Sequence, residues 1–286
     1  MINIKKPSVS AIIPFFAGAA WLEEAIESVI LQSYPVLEII VVNDGSEENI
    51  EGIEKKYKRR VIFLKQENKG AAAARNFGVM SAEGDIVAFL DSDDLWEPDK
   101  IKHQIDRMVS GNYKWCATGY VTFGYGKKEY VVPYQSKKLC WEHIYNTCRI
   151  ATPTVMVYRE ILCKNIFAED MKKGQDIFLW FRLAGEYPLA VIDRPLTKVR
   201  KREDFTALSF TTHVRVRADL WRKMSVSKEL RMPERYLTKK AYKICADIAK
   251  KESVVKENIT NKLLFATAWL LFRLDNIFLD IKEIIR

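Results

Sequence analysis

Three polar clusters in the 286-residue chain hold residue types capable of chemistry: Phe15-Phe16-Ala17-Gly18, Asn43-Asp44-Gly45-Ser46 and Asp91-Ser92-Asp93-Asp94. Each follows a short apolar run, and in an open α/β sheet ligands bind outside the carboxyl ends of the strands. The third cluster says the most. If the segment stays extended, Asp91 and Asp93 point the same way, and carboxylates forced together repel unless a cation lies between them. Hard oxygen ligands in low number suit Mg²⁺ or Mn²⁺ shared with substrate phosphates. A solvated turn uses the same residues, but placement after a buried strand and before Leu95-Trp96-Glu97-Pro98 favours a site. Asp44 has two readings, a carboxylate accepting from the N–H edge of a nucleobase or ordinary tight-turn chemistry. Lys69-Gly70 stands ahead of an Ala-rich segment with Arg75-Asn76 one turn in. A helix N-terminus with cations suits a diphosphate, and a salt bridge at the core edge is the plainer use of Arg75.

These clusters need a scaffold. Val9–Pro14, Leu37–Val42, Val61–Leu64 and Ile86–Leu90 read as buried strands. Between them, Leu22, Ala25, Ile26, Val29 and Ile30 recur at helical spacing, and Ala71–Met80 is helical. Short apolar strands alternating with helices predict a doubly wound, mostly parallel α/β sheet. Past Pro98 the expected order is a helix around Ile101–Val109, then a hairpin of Trp115–Phe123 and Glu129–Val132. A helix near Trp141–Cys148, a strand at Thr154–Val157, a helix over Asp176–Ala184 and a strand at Val191-Ile192 follow. Beyond Phe205 only helices are expected, at about 213–224, 234–252 and 259–284.

In order along about residues 8–205, Ala11-Ile12-Ile13-Pro14, Gln32-Ser33-Tyr34-Pro35, Val42-Asn43-Asp44-Gly45-Ser46, Asn68-Lys69-Gly70 with Ala74-Arg75-Asn76, Leu90-Asp91-Ser92-Asp93-Asp94 and Gly174-Gln175-Asp176 together resemble the family 2 glycosyltransferases of GT-A fold. That resemblance implies a catalytic domain over 1–205, with a donor half of about 1–98 and an acceptor half of about 99–205; the helical region read from the spacing then occupies 206–286. It implies an inverting transferase using a nucleoside-diphosphate sugar, UDP first among them, with Mn²⁺ or Mg²⁺. By the same resemblance Pro14, Phe16, Asp44, Ser46, Lys69, Arg75, Asp91 and Ser92 lie on the donor side, and Asp93 is the metal carboxylate. Asp176 is the general base, and Arg200, Lys201 and Arg202 form a basic loop near the diphosphate. The implied acceptor is a glycan or lipid-linked saccharide of a bacterial surface polysaccharide. The sequence departs from the family at Gln175, where an acidic residue often precedes the base, and at Ala17, where a polar residue is common. It has no Gln-x-x-Arg-Trp motif of processive synthases. Asp176 also suits a helix N-cap before Ile177, Leu179-Trp180 and Leu183.

Composition sets the remaining bounds. With 48% hydrophobic and 29% charged residues the chain can bury a core, which excludes disordered and collagen-like classes. Cys116, Cys140, Cys148, Cys163 and Cys245 lie far apart and only three His are present. A reducing compartment fits better than a disulfide framework or a zinc site. Met1–Pro7 leads straight into a strand and does not read as a signal peptide. The run Leu263–Phe272 is too short to cross a bilayer by itself, so the expected location is the cytoplasm.

Residues 194–251 hold 17 Lys/Arg against 6 Asp/Glu, a surplus of 11, which leaves the rest of the chain at −2 against a net charge of +9. With the apolar spacing and cations of 259–286, this predicts docking on an anionic membrane surface at the inner face of the membrane. The same apolar face would also serve for packing on the catalytic domain or pairing in a homodimer. Two competing functions are a sugar nucleotidyltransferase and a non-enzymatic nucleic-acid binder. The first lacks a Gly-rich phosphate loop near Pro14–Gly18. The second lacks any recognisable nucleic-acid motif, and no nucleic-acid partner is expected.

Overall fold

The computed structural model describes residues 6–126, 128–133, 150–202, 220, 222, 223 and 226. The chain divides into two units, Met1–Glu203 and Asp204–Arg286, and the sheet with its helices belongs to the first. The helices expected at 141–148, 234–252 and 259–284 lie outside the described residues; of the one expected at 213–224, residues 220, 222 and 223 are described and are helical.

The apolar run Val9–Phe15 (β1) forms the middle of the sheet, buried at every position but Pro14. Burial on both faces is what a run without alternation requires. It pairs in parallel with β2 (Glu38–Asp44), which pairs in parallel with β3 (Val61–Gln66). On its other side β1 pairs in parallel with β4 (Ile86–Phe89). The helices between them are α1 (Ala19–Ile30), α2 (Glu51–Tyr57) and α3 (Ala71–Ser81). Leu22, Ala25, Ile26 and Val29 of α1 pack with Ala11 and Ile13 on one face. Ala72, Ala74 and Val79 of α3 pack with Ile12 and Ile40 on the other. Small residues let α3 lie close to the sheet. A Cβ added at Gly78 would stand 2.6 Å from Ile12 Cγ2.

Beyond β4 come β5 (Leu95–Trp96), α4 (Lys100–Ser110), β6 (Trp115–Gly124) and β7 (Tyr130–Val131). After a 3-10 turn at Thr152–Thr154 follow β8 (Val155–Tyr158), α5 (Arg159–Leu162), α6 (Gln175–Glu186) and β9 (Leu189–Lys201). Strand order is β3-β2-β1-β4-β8-β6-β9-β5, with β7 beside β6. β8 runs antiparallel to β4 and β6, β9 parallel to β6, and β5 antiparallel to β9. The β6–β7 hairpin is present as expected. The strand expected at Val191-Ile192 is far longer, 13 residues. Its second half is polar and passes an irregularity opposite Thr118–Tyr120, so the sequence hides it. Phe89, Trp115, Phe167 and Trp180 stack edge-on or face-on beneath this half of the sheet.

The register opens the site. The β1–β2 ladder runs on to Phe15 opposite Asn43, whereas the β1–β4 ladder stops at Ile12 opposite Phe89. Past that point the strands part. This is the switch point at which open α/β sheets bind ligands.

Candidate functional site

A cavity of about 250 Å³ occupies that opening. Among the described residues its lining is Pro14, Phe15, Phe16 and Ala17 from the end of β1, Asp44 from the end of β2, Ala71 and Arg75 from α3, Asp91, Ser92 and Asp93 after β4, and Arg202 after β9. Pro14, Phe16, Asp44, Arg75, Asp91, Ser92, Asp93 and Arg202 are thus brought together. Ser46, Lys69, Arg200, Lys201 and Asp176 lie outside this lining. Phe16 is 52% exposed at the cavity, an open aromatic face of the kind on which a base stacks.

Asp44 anchors a loop, the second of its two sequence readings. It is buried, and its Oδ1 accepts from Gln66 Nε2 at 2.7 Å and Lys69 N at 2.8 Å, while Oδ2 accepts from Gly70 N at 2.8 Å. The carboxylate therefore ties the 66–70 loop to the start of α3. An ionised carboxylate has about four acceptor positions, so one remains for a ligand N–H. Lys69 enters the site through its backbone. Ser46 serves the turn, its N–H donating to Asn43 Oδ1 and its Oγ accepting from Glu48 N.

The acidic segment is a turn, with Asp94 N donating to Asp91 O at 3.0 Å, and not the extended segment expected from Asp91 and Asp93 being two apart. Asp91 and Asp93 instead each have their own arginine. Arg75 Nη2 donates to Asp91 Oδ1 at 2.6 Å, and its guanidinium lies 5.5 Å from the Phe167 ring centre. The Arg75 side chain is only 8% exposed and its Nε has no hydrogen-bond partner among the described residues. Arg202 Nε donates to Asp93 Oδ2 at 2.8 Å, and Nη2 lies 2.7 Å from the same oxygen as an ion pair. Burial pushes the Asp93 carboxyl above its ordinary range, Asp91 adds to that, and Arg202 opposes it. Asp94, buried more deeply, is pushed well up by burial and by Asp91 and Asp93.

Asp94 received no role from the sequence. In the structure its Oδ1 accepts from Arg200 N at 2.7 Å, and Arg200 Nε donates to Asp93 O at 2.8 Å. Arg200 also pairs with Glu24 and lies over the Phe123 ring at 4.5 Å. It is the anchor that holds the end of β9 to the acidic turn, and Lys201, on the opposite side of the strand, pairs with Glu129. Glu48 was missed as well. It accepts from Gly18 N and Ala19 N at the start of α1, and those N–H groups hold its carboxyl below the ordinary range. A carboxylate at a helix N-terminus is favourable for the same reason. A glutamate folding back 30 residues leaves no local signal.

Asp176 is half-buried in the first turn of α6. It is not the N-cap: that position is Gly174, at φ 75°, a left-handed conformation that glycine adopts without the Cβ penalty. Asp176 Oδ1 accepts from Ile177 N at 2.8 Å and Oδ2 from Thr152 Oγ1 at 3.3 Å. Thr152 is a third missed residue. It belongs to the 3-10 turn whose Pro153 carbonyl accepts from Trp96 Nε1 and whose Thr154 carbonyl accepts from Gln104 Nε2.

A divalent cation fits one part of this arrangement. Among the described residues no group of three or more His, Cys, Asp or Glu could hold a metal by itself. Mg²⁺ and Mn²⁺ in phosphate-transferring sites take one or two carboxylates and complete their shell with phosphate oxygens and water. Asp93, lining the cavity beside Asp91, supplies that kind of donor set.

The fold is that of the GT-A glycosyltransferases. TarS of Staphylococcus aureus in complex with UDP superposes with a TM-score of 0.64 at 18% identity, over 82% of this chain and 69% of that one. The Pyrobaculum calidifontis mannosyltransferase PcManGT, in complex with GDP-Man and Mn²⁺, gives 0.62 at 16% identity over 94% of this chain and 81% of that one. The chain belongs to glycosyl transferase family 2, whose family model matches residues 10–167. An uncharacterized glycosyltransferase of Rickettsia felis is 37% identical over 197 residues, 67% of this chain and 33% of that protein. The chain thus spans about a third of the length of that relative. The Escherichia coli UDP-Glc:alpha-D-GlcNAc-diphosphoundecaprenol beta-1,3-glucosyltransferase WfgD is 29% identical over 197 residues, 65% of this chain and 73% of WfgD.

Proposed function

We propose that the protein transfers one sugar, with inversion, from a UDP-sugar to a hydroxyl of a glycan or lipid-linked saccharide in bacterial surface polysaccharide synthesis. One observation carries this reading: a single opening at the switch point collects an exposed aromatic, a carboxylate with a spare acceptor position, two arginines and the Asp91–Asp93 pair. Those are the groups that a base, a diphosphate and a divalent cation need. The UDP in the TarS complex and the donor in the name of WfgD favour UDP, and the latter also favours a lipid diphosphate acceptor.

In this reading Phe16 stacks the base, and Asp44 accepts from its N–H edge. Arg75 and Arg202 face the diphosphate. A divalent cation on Asp93 would supply charge stabilisation for the leaving diphosphate. The acceptor oxygen forms a bond to the anomeric carbon as the bond from that carbon to the β-phosphate oxygen breaks. Asp176 takes the hydroxyl proton, and the nucleoside diphosphate departs with the bonding pair. Thr152 Oγ1 and Ile177 N–H hold that carboxylate. Residues 1–98 supply the donor half, to which Arg202 is added from the end of β9, and 99–205 the acceptor half. No helix among the described residues is long and apolar enough to cross a membrane. Residues 259–286, outside the described set, are the segment proposed to dock on the inner membrane face or to pair two copies.

Incubation with a panel of nucleotide sugars and Mn²⁺, followed by measurement of released nucleoside diphosphate, tests the proposal. UDP released from at least one UDP-sugar, and not by Asp93→Ala, is the expected result. Release from none of the panel in the presence of lipid-linked acceptors would overturn it.

A further inference from the structure

Arg202 and Asp93 form a pair with which a cation on the same carboxylate oxygen would compete. Both guanidinium contacts, from Nε and Nη2, converge on the single oxygen Oδ2 of Asp93. A cation binding through that oxygen must displace the guanidinium. No cluster of three or more metal-ligating side chains waits among the described residues to repay the displacement. A dication approaching a carboxylate already matched by an arginine gains little, because the guanidinium then loses its partner in a partly buried site.

The neighbouring contacts show which group can change partner. Arg200 is committed three ways, through its backbone N–H to Asp94, its Nε to the Asp93 carbonyl and its Nη2 to Glu24. The backbone is therefore pinned two residues before Arg202. The Arg202 guanidinium lies 4.5 Å from the centre of the Trp21 ring, a contact that tolerates rotation of the fork over the ring face. Arg202 lines the same cavity as Arg75 and Ala71 at the start of α3, where a diphosphate would lie.

We infer that Arg202 is a placeholder for the divalent cation: it holds Asp93 in the nucleotide-free protein and passes to the diphosphate when the donor arrives, making cation binding conditional on nucleotide. This rests on the reading of Asp93 as the metal carboxylate. The diphosphate supplies the anion that Arg202 needs in exchange, so nucleotide and cation favour each other, and by linkage the effect is reciprocal.

The test is the binding of Mn²⁺ to the full chain, followed by the paramagnetic resonance signal of free Mn²⁺, with and without UDP. Wild type is expected to bind Mn²⁺ at least about a hundredfold more tightly with UDP present. Arg202→Gln removes a charge-assisted pair in one state and a phosphate contact in the other, each worth about tenfold. Its Mn²⁺ affinity without UDP should therefore rise about tenfold and its affinity with UDP fall about tenfold. Arg202→Lys keeps the charge without the fork and should fall between, which also covers a failure of the glutamine variant to fold. If wild type couples Mn²⁺ to UDP but neither variant binds Mn²⁺ more tightly without nucleotide, the placeholder is overturned and Asp93 as metal carboxylate stands. If wild type takes up no Mn²⁺ with UDP, or Asp93→Ala takes it up equally well, that underlying reading falls and the placeholder with it.

Discussion

Asn76 grips the backbone of Phe167 from both sides: its Nδ2 donates to the Phe167 carbonyl at 3.0 Å, and its Oδ1 accepts the Phe167 N–H at 2.9 Å. The same Nδ2 reaches Glu169 Oε1 at 2.8 Å. One residue earlier on α3, Arg75 lies against the Phe167 ring and pairs with Asp91. The Arg75–Asp91 side of the cavity is therefore fixed to the loop that leads into Gly174 and Asp176.

Asn76→Ala should expose this link. It leaves the Phe167 N–H and carbonyl buried without their partner, at a cost of about 2–3 kcal/mol. The urea midpoint should fall accordingly. Among molecules that remain folded, transfer to acceptor should fall more than UDP affinity. Equal losses in both would place the clamp on the donor side alone.

Lys100 offers a pH test away from the site. It is fully buried, its Nζ lies 4.0 Å from the centre of the Trp96 ring, and Nζ has no hydrogen-bond partner among the described residues. Burial pushes its pKa well below the ordinary lysine value of 10.5. Between that lowered value and 10.5 the unfolded chain binds more protons than the folded one, so the Lys100 contribution to stability rises with pH across the window. Lys100→Met removes this penalty and should stabilise the protein at neutral pH by on the order of 1 kcal/mol. Thermal melts from pH 7 to 10 should show the gain shrinking as pH rises. A gain that grew with pH would contradict the account.

Sequence reading recovered the parallel half of the sheet because β1, β2 and β4 are buried on both faces and leave unbroken apolar runs. Much of the cavity followed, since Pro14, Asp44, Asp91 and Asp93 stand at the ends of those runs. The second half of β9 was hidden, because only a few of its residues, such as Leu196 and Thr197, face the interior. The partnerships were hidden too. Nothing in the local sequence pairs Asp93 with Arg202 or Asp94 with the Arg200 N–H, more than a hundred residues away. Tertiary folding alone gives Asp91 and Asp93 an arginine each and Asp94 a backbone donor.

Asp44→Ala should damage both stability and donor binding. Three donors, Gln66 Nε2, Lys69 N and Gly70 N, lose their acceptor, which costs about 2–4 kcal/mol. Donor KM should rise at least about tenfold with a smaller change in kcat, because the base contact is made equally before and during reaction. An unchanged donor KM with lowered stability would reduce Asp44 to a loop anchor.

Asp93→Ala should remain folded and lose metal-dependent turnover by about 10²–10³-fold, the scale of removing transition-state charge stabilisation. Rates measured against added Mn²⁺ should stay flat for the variant and rise for wild type. Full turnover of wild type in excess EDTA would count against a cation in the reaction.

The central claim, that Asp176 takes the acceptor proton while a separate cavity holds the donor, is tested most directly by Asp176→Asn. Transfer rate and affinity for UDP with Mn²⁺ are measured on the same preparation. The asparagine keeps the shape and one acceptor oxygen in the first turn of α6 but removes the proton acceptor. The account predicts transfer lowered by about 10³-fold with UDP affinity within about twofold of wild type, since Asp176 does not line the donor cavity. Transfer within tenfold of wild type, or UDP affinity lost in step with transfer, would contradict it.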